Sequence, residues 1–202
     1  MEALQKLLTD ELADLYDAEQ QILKALPKMI AQCSSSELQQ ALQEHLTVTQ
    51  KQVTRLDQVF REFDEKPSKK CKGMAGIISE GDEMLKEDLE DATKDAAIIA
   101  AAQKVEHYEI ASYGTARTLA EFLGKQRAAE LLEETLDEEK EADELLTQIA
   151  ESSINTQAAS EEGEVAENKR SGNGRSRPSS TAKSKQRTQR TRSRRPRAKA
   201  GR

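Results

Sequence analysis

The sequence contains few of the residues that build β-sheets. Tryptophan is absent, aromatic residues make up 3% of the chain, and only 9 glycines and 4 prolines occur among 202 residues. Leucine, alanine, glutamate, glutamine and lysine dominate instead, and these residues favour helices. The composition therefore predicts an all-helical protein with room for one domain of ordinary size and a tail.

Long apolar runs are also missing. No stretch of about 18 consecutive apolar residues occurs, so the sequence predicts no membrane-spanning helix. The N-terminus begins an amphipathic pattern at residues 1–5 and lacks the basic start and apolar core of a signal peptide. From these two absences we expect a cytoplasmic protein.

Cysteine is scarce as well. Cys33 and Cys71 lie far apart in the sequence and do not form a Cys-x-x-Cys motif. The two residues could pair or share a ligand, and the sequence leaves their state open. Reduced thiols are the default in a cytoplasmic protein, so free thiols are the first expectation.

The two ends of the chain carry opposite charge. The net charge is −6, yet residues 169–202 contain 14 lysines and arginines and no acidic residue, so the first 168 residues carry a net charge of −20. Apolar periodicity ends near Ala150. We therefore predict a helical domain over residues 1–150, an acidic flexible linker over 151–168 and a disordered basic tail over 169–202, whose composition cannot form a buried core.

Two apolar stripes with helical spacing occupy the N-terminal part of the chain. Pro27 is expected to kink the first helix or to end its regular part. Ser34 and Glu37 have the spacing of a capping box and predict the start of the second helix. The stripes consist of Leu4, Leu8, Leu12, Leu15, Ile22, Leu26 and Ile30, followed by Leu38, Leu42, Leu46, Val53, Leu56, Val59, Phe60 and Phe63.

A long connection separates this helical pair from a second pair. Residues 66–73 read as a loop, and residues 77–85 predict a short helix within the connection. A third main helix is expected over about 91–123, with Gly124 as its C-terminal stop, and a fourth over about 126–150. Short connections make each pair an antiparallel hairpin, and two hairpins joined by one long crossover form the ferritin-like four-helix topology.

Charged residues interrupt the apolar stripes at one level of the predicted bundle. Glu19, Thr49, Glu109 and Glu138 each lie 14 or 15 residues from the turn of their own hairpin, which corresponds to about 22 Å along a helix. Carboxylates that converge from several helices of a bundle are typical of a dinuclear metal site. The predicted ligands of two ions are Glu19, His45, Glu106, Glu109, Glu138 and Glu141.

Each ligand also has a simpler interpretation when it is taken alone. Glu19 could be a rim residue, His45 a hydrogen-bonded core histidine, and the acidic stretch 133–144 a solvated face. His107 lies about 100° around the helix from Glu106 and is expected beside the site or at a subunit contact. Only the joint alignment favours metal binding. The residues expected to surround the ligands are Tyr16, Thr49, His107 and Tyr113.

Several segments along the bundle carry a distinctive pattern. They are DLYDAE at 14–19, ALPK at 25–28, His45 with Thr49, RLD at 55–57, AAQKVEHYEIASYGT at 101–115 and TLDEEK at 135–140. Together these segments resemble the YciE/YciF family of bacterial ferritin-like stress proteins over about residues 3–150. The resemblance implies a rubrerythrin-like helical fold, a dimer, and induction under osmotic, oxidative or similar stress. It does not define a reaction.

The predicted site departs from better-known ferritin-like enzymes in its ligand motifs. Those enzymes use Glu-x-x-His twice, whereas this chain has Glu106-x-x-Glu109 and Glu138-x-x-Glu141 and only two histidines. Hard oxygen ligands suit Fe or Mn better than Zn. We therefore expect an Fe or Mn centre that reacts with O2 or peroxide or that sequesters metal.

The basic tail predicts a second activity. Arms of this composition bind DNA or RNA through phosphate contacts, without sequence preference and with steep salt dependence. The tail has no aromatic residue that could stack on bases. A solubility tail, or one that folds against the acidic domain, is the alternative. The residues expected to contact nucleic acid, and to give a nucleoid association, are Arg187, Arg190, Arg192, Arg194, Arg195, Arg197 and Lys199.

A non-catalytic interpretation stays open. In it, the chain is a metal-free, dimeric structural stress protein that associates with DNA through its tail. The inward carboxylates would then be protonated or paired with Lys104 or Arg117. Composition and spacing do not separate this alternative from the metalloprotein.

Overall fold

Five α-helices account for most of the described chain. The computed structural model describes residues 1–161, and within that range it contains no β-strand. The all-helical prediction is confirmed. The helices are α1 (Glu2–Ile30), α2 (Ser36–Arg61), α3 (Lys72–Met84), α4 (Asp91–Phe122) and α5 (Gln126–Ile149).

Four of these helices form a closed bundle. α1 packs against α2 and α4, and α5 packs against α4 and α2, while α3 lies in the crossover and contacts α1 and α4. This arrangement confirms the predicted pair of hairpins joined by a long connection with a short helix. Across residues 1–161, no helix combines the length and the apolar character needed to cross a membrane.

The turn between α4 and α5 is the one predicted from its glycine. Gly124 has a φ of 71°, a left-handed conformation that glycine adopts without steric cost. The backbone N–H of Lys125 donates to the carbonyl of Ala120 at 2.9 Å and closes the end of α4. The glycine therefore ends one helix and allows the next to begin at Gln126.

The structure narrows one prediction for the first hairpin and corrects another. α1 continues through Pro27 to Ile30, so of the two effects predicted for the proline, ending the helix does not occur. The cap of α2 is Ser35, whose side chain accepts from the N–H of Leu38, and not Ser34. The backbone N–H groups of Ser34 and Ser35 instead donate to the buried carboxylate of Asp95, at 2.9 and 2.7 Å.

The helical backbone continues beyond the predicted end of the domain. A π-helical turn at Ala150–Ile154 follows α5, and residues 155–161 are helical. Ile154 is buried, and the carboxylate of Glu161 accepts from the N–H of Ala92 at 3.1 Å, at the start of α4. The predicted linker is thus helical as far as Glu161. Its remainder and the predicted basic tail lie outside the described residues.

Both cysteines are free thiols, as expected. Burial raises the pKa of Cys33 to about 12, so its thiol is protonated at neutral pH. Cys71 is buried at the start of α3, where its Sγ lies 3.0 Å from the hydroxyl oxygen of Tyr108 and accepts from the N–H of Met74 at 3.2 Å. Cys71 therefore serves as the N-terminal cap of α3.

A polar layer divides the hydrophobic interior into two clusters. The layer lies at Glu19, His45, Glu106, Glu109 and Glu139, all of them buried. On one side of the layer the core includes Leu8, Leu12, Leu15, Leu56, Val59, Phe60, Ala116 and Leu132. On the other side it includes Ile22, Leu26, Leu38, Leu42, Ile98, Ile99, Leu146, Ile149 and Ile154.

Candidate metal centre

The polar layer receives side chains from all four helices of the bundle. Glu19 comes from α1, His45 from α2, Glu106 and Glu109 from α4, and Glu139 from α5. The four carboxylates are no more than 2% exposed, and His45 is 9% exposed. Each of these residues lies on the apolar stripe of its helix, so the packing that buries the leucines also carries it inward.

Four of the side chains converge on one point. His45, Glu106, Glu109 and Glu139 each offer one ligand atom, and these atoms lie within 4.8 Å of one another. The Nε2 atom of His45 is 3.4 Å from Oε1 of Glu106 and 3.9 Å from Oε2 of Glu139. Opposite ligands of a first-row metal ion lie about 4 Å apart, so the cluster has the dimensions of an ion site.

Glu19 extends the cluster toward α1. The hydroxyl of the buried Tyr113 donates to Oε1 of Glu19 at 2.5 Å, and burial together with the charge of Glu19 raises the pKa of the neighbouring Glu109. On the opposite side, the buried amide of Gln52 donates to Glu139. Neutral donors thus orient one oxygen of Glu19 and one of Glu139 and leave the other oxygen of each free.

Five ligand atoms in this layer have no hydrogen-bond partner. An unpaired polar atom costs about 1–3 kcal/mol when it is buried away from water, and buried polar atoms are paired in nearly all cases. These atoms are Oε2 of Glu19, Nε2 of His45, Oε2 of Glu106, Oε1 of Glu109 and Oε2 of Glu139. Cations held between these side chains would give the atoms their missing partners.

Burial and mutual repulsion raise the pKa of each carboxyl group. The pKa of Glu19 rises to about 8 through burial and the charge of Glu139, and burial raises the pKa of Glu106 to about 7. Burial, followed by the charges of Glu19 and Glu139, holds the pKa of Glu109 well above its usual range. Burial and the charge of Glu106 do the same for Glu139. Without a cation, the layer therefore retains protons at neutral pH.

The structure corrects the register predicted for α5. Glu138 and Glu141 were expected to point inward, but Glu138 forms an ion pair at the bundle surface and Glu141 is exposed. Glu139 occupies the inward position instead. It lies seven residues from both Leu132 and Leu146, two buried leucines, so it shares their face of the helix.

Arg55 is a buried partner of α5 that was not predicted as part of the site. Its guanidinium donates to both carboxylate oxygens of Glu138, at 2.8 and 3.0 Å, and to Glu134 at 2.7 Å. It also donates to the hydroxyl of Thr135. This fork holds Glu138 away from the interior. The sequence contained one indication that Arg55 is buried. It lies three residues after Gln52, on the stripe of α2 that faces the interior.

The residues predicted to surround the ligands take different positions. Tyr113 contacts Glu19 directly, and Thr49 is buried, with its hydroxyl donating to the carbonyl of His45 at 2.9 Å. Tyr16 packs edge-on against Phe60, within the hydrophobic cluster beside the layer. The side chain of His107 is 70% exposed, with Nε2 3.3 Å from Asp143. His107 therefore lies on the surface and not beside the ligands.

The cations considered as partners for the inward carboxylates pair elsewhere. Lys104 pairs with Glu80, and Arg117 pairs with Glu121 and Glu133. Neither ion pair includes a member of the buried cluster. The residues predicted to contact nucleic acid, at 187–199, lie outside the described part of the chain.

The fold and the buried layer together define a class, the ferritin-like four-helix bundle with inward carboxylates. The chain belongs to the family described as "Domain of unknown function (DUF892)", which it matches over residues 3–159. Protein YciF of Escherichia coli (strain K12) is 45% identical over 160 residues, which are 78% of this chain and 96% of that protein. The predicted family resemblance is thereby confirmed.

Solved structures agree with this assignment. The crystal structure of the E. coli stress protein YciF matches with a TM-score of 0.73 and 45% identity, covering 77% of this chain and 99% of that chain. YcfI from Rhodopseudomonas palustris, provisionally described as a structural protein, matches with a TM-score of 0.70 and 49% identity over 71% and 92% of the two chains. A Xanthomonas campestris protein at 19% identity and a TM-score of 0.61 supports the fold alone.

Proposed function

We propose that the polar layer binds first-row divalent metal, and that this is the principal activity of the bundle. The observation that carries the proposal is the set of five buried ligand atoms without partners, contributed by four helices. Carboxylates in this number cannot all ionise without a compensating charge. A bound cation supplies that charge, whereas the metal-free protein must keep protons in its interior.

The chemistry of the donors favours Fe or Mn. Four carboxylates and one imidazole form a hard, oxygen-rich set that suits these metals better than Zn. His45, Glu106, Glu109 and Glu139 would hold one ion, since their ligand atoms lie within 4.8 Å of one another. Glu19, together with Glu109 and Glu139, would hold a second ion. Bound Fe or Mn would supply redox chemistry toward O2 or peroxide, or would be held there as stored metal.

The chain's own residues would prepare the ligands for binding. Tyr113 fixes one oxygen of Glu19 and Gln52 fixes one oxygen of Glu139, so the second oxygen of each carboxylate stays directed at the cluster. A related protein is described as a stress protein of E. coli. We propose the same role for this chain, which would act under stress by removing free metal or oxidant.

Metal content is the direct test of this proposal. Protein purified without chelator and loaded anaerobically with Fe2+ or Mn2+ should retain one to two ions per chain after desalting. Replacing Glu109→Gln or Glu139→Gln removes a central ligand and should lower retention by at least about tenfold. Asp137→Asn, an exposed residue of the same helix paired with Lys140, is the matched control and should not change it.

Two results would contradict the metal proposal. One is retention below about 0.1 ion per chain in the loaded wild type, since a functional site binds stoichiometrically. The other is equal retention by Glu139→Gln and Asp137→Asn. Either result would favour the metal-free structural alternative, in which the carboxyl groups stay protonated.

We also propose that the basic tail associates with nucleic acid, in a protein that forms a dimer. The support is compositional, since residues 169–202 carry 14 positive charges and no negative ones. Replacing the seven basic residues between positions 187 and 199 with glutamine halves the charge of the tail and should strongly weaken retention on duplex DNA. Equal retention would refute the tail's role.

The proposed dimer is tested by light scattering, which should give twice the chain mass of 22.5 kDa.

A further inference from the structure

A cleft between α2 and α5 opens onto the buried cluster. Its volume is about 210 Å³, and its lining includes His45 and Glu106, two members of that cluster. One water molecule requires only about 10–15 Å³ of such a cavity. The cleft therefore has room for an ion that still carries part of its hydration shell.

Unpartnered ligand atoms belong to the side chains that line the inner end of this cleft. Nε2 of His45 and Oε2 of Glu106 have no hydrogen-bond partner, although the two residues are 91% and 98% buried. An ion entering here would meet two ligands of the proposed metal centre first. Glu109 and Glu139 lie next to them in the same cluster.

The outer end of the cleft is acidic. Glu44, Glu138 and Glu141 line the cleft together with alanine, valine and leucine side chains, and no lysine or arginine is among its lining residues. Arg55 neutralises Glu138. Within residues 1–161, Glu44 and Glu141 form no ion pair, so two uncompensated charges remain near the opening. Such a charged cleft raises the local concentration of cations.

A second groove that reaches the cluster has the opposite character. A groove between α1, α3 and α4 also reaches Glu106, but it is lined almost entirely by apolar side chains such as Ile22, Leu26 and Ile78, and its volume is only about 30 Å³. A hydrated cation would lose most of its water there without compensation. The difference in size and polarity favours the α2–α5 cleft as the route for ions.

We propose that the α2–α5 cleft is the entrance for divalent cations, and that Glu44 and Glu141 attract them to it. This inference rests on the proposed metal centre. Glu44 and Glu141 act at a distance and do not coordinate the bound ion. They should therefore control how fast metal binds and leave the number of bound ions unchanged.

Stopped-flow measurement of metal uptake tests the entrance. Co2+ is the probe, and quenching of tyrosine emission is the readout, because Tyr113 contacts Glu19 in the cluster. The double variant Glu44→Gln/Glu141→Gln should take up Co2+ about three- to tenfold more slowly at low ionic strength. The difference should shrink in about 0.5 M salt, which screens exposed charges. Equilibrium stoichiometry should match the wild type.

The control variant is Glu83→Gln/Glu87→Gln. It removes the same charge from exposed positions in and just after α3, and its uptake rate should equal that of the wild type. If the two double variants take up Co2+ at the same rate, the proposed entrance is wrong, while the metal centre stands. A lower stoichiometry in Glu44→Gln/Glu141→Gln would also overturn it, because these residues would then be ligands. Absence of binding to the wild type would refute the metal centre itself.

Discussion

At the scale of single residues, each end of the carboxylate cluster depends on one neutral donor. Tyr113 donates a hydrogen bond to Glu19, and Gln52 donates one to Glu139. Both donors are buried, and neither carries a positive charge. A neutral donor orients a carboxyl group without supplying the charge that a cation would bring. Tyr113 and Gln52 therefore orient these two carboxyl groups without neutralising them.

Tyr113→Phe should destabilise the metal-free protein. The change leaves the packing of the ring intact but deprives a fully buried oxygen of Glu19 of its donor, which costs about 1–3 kcal/mol. Urea unfolding followed by far-ultraviolet circular dichroism measures the difference at pH 7. Tyr16→Phe is the control, since Tyr16 is partly exposed and contacts Phe60 through its ring. Equal midpoints for the two variants would show that the Tyr113 hydroxyl contributes nothing.

The sequence did not allow a prediction of which adjacent glutamate of α5, Glu138 or Glu139, points inward. Residues 137–144 read DEEKEADE and contain no large apolar residue, so the stripe that sets the register of α5 is interrupted where the site lies. Glu139 points inward because it continues the face of Leu132 and Leu146, and Glu138 points outward because Arg55 binds it. The contact between Arg55 and Glu138 is a tertiary interaction, and the apolar periodicity of one helix cannot reveal it. In helices α1, α2 and α4, where apolar residues flank the polar ones, the inward residues were predicted.

At the scale of elements, contacts at both ends of helices hold the bundle together. Asp95 of α4 accepts two backbone N–H groups from the α1–α2 turn, and Glu161 accepts from the first turn of α4. The segment after α5 thus acts as a part of the fold. It escaped prediction because residues 151–161 contain one buried apolar residue, Ile154, which is too few to produce a stripe.

Truncation should show that this segment stabilises the bundle. A chain ending at Ala150 loses the buried Ile154 and the contact of Glu161, and we expect its free energy of unfolding to fall by about 2–5 kcal/mol. A chain ending at Asn168 keeps both contacts and should unfold like the full-length protein. Thermal and urea unfolding of the two chains make the comparison. Identical curves would mean that the segment does not contribute to the fold.

At the scale of the whole molecule, the architecture follows from features that the sequence displays plainly. The lengths of the connections determine which helices form hairpins, and Gly124 and Asp91 mark element ends that the structure reproduces. The polar layer was predictable in height because both hairpins have arms of similar length. Its exact membership depended on side-chain contacts across the bundle. The layer interrupts an otherwise continuous hydrophobic core, so burial of its carboxyl groups has a cost in stability for the whole fold.

That cost predicts how the stability of the metal-free protein depends on pH. The pKa of Glu19 is about 8 and that of Glu106 about 7 in the folded state, against 4.5 for an ordinary glutamate. Between pH 4.5 and 8 the folded protein therefore binds more protons than the unfolded chain. The free energy of unfolding should fall as the pH rises through this window, by up to about 1.4 kcal/mol per pH unit for each such group.

Metal should reverse this dependence. An ion replaces the protons, so Mn2+ should raise the unfolding temperature more at pH 8 than at pH 5.5, where protons compete for the same oxygens. Unfolding followed at both pH values, with Mn2+ and with chelator, measures the effect. Glu139→Gln removes one titrating group and a ligand, so it should flatten the metal-free pH dependence and abolish the response to Mn2+. If the stability of the metal-free wild type were independent of pH from 5.5 to 8, the raised pKa values would be wrong. Buried carboxyl groups that retain protons must destabilise the folded protein as those protons are withdrawn.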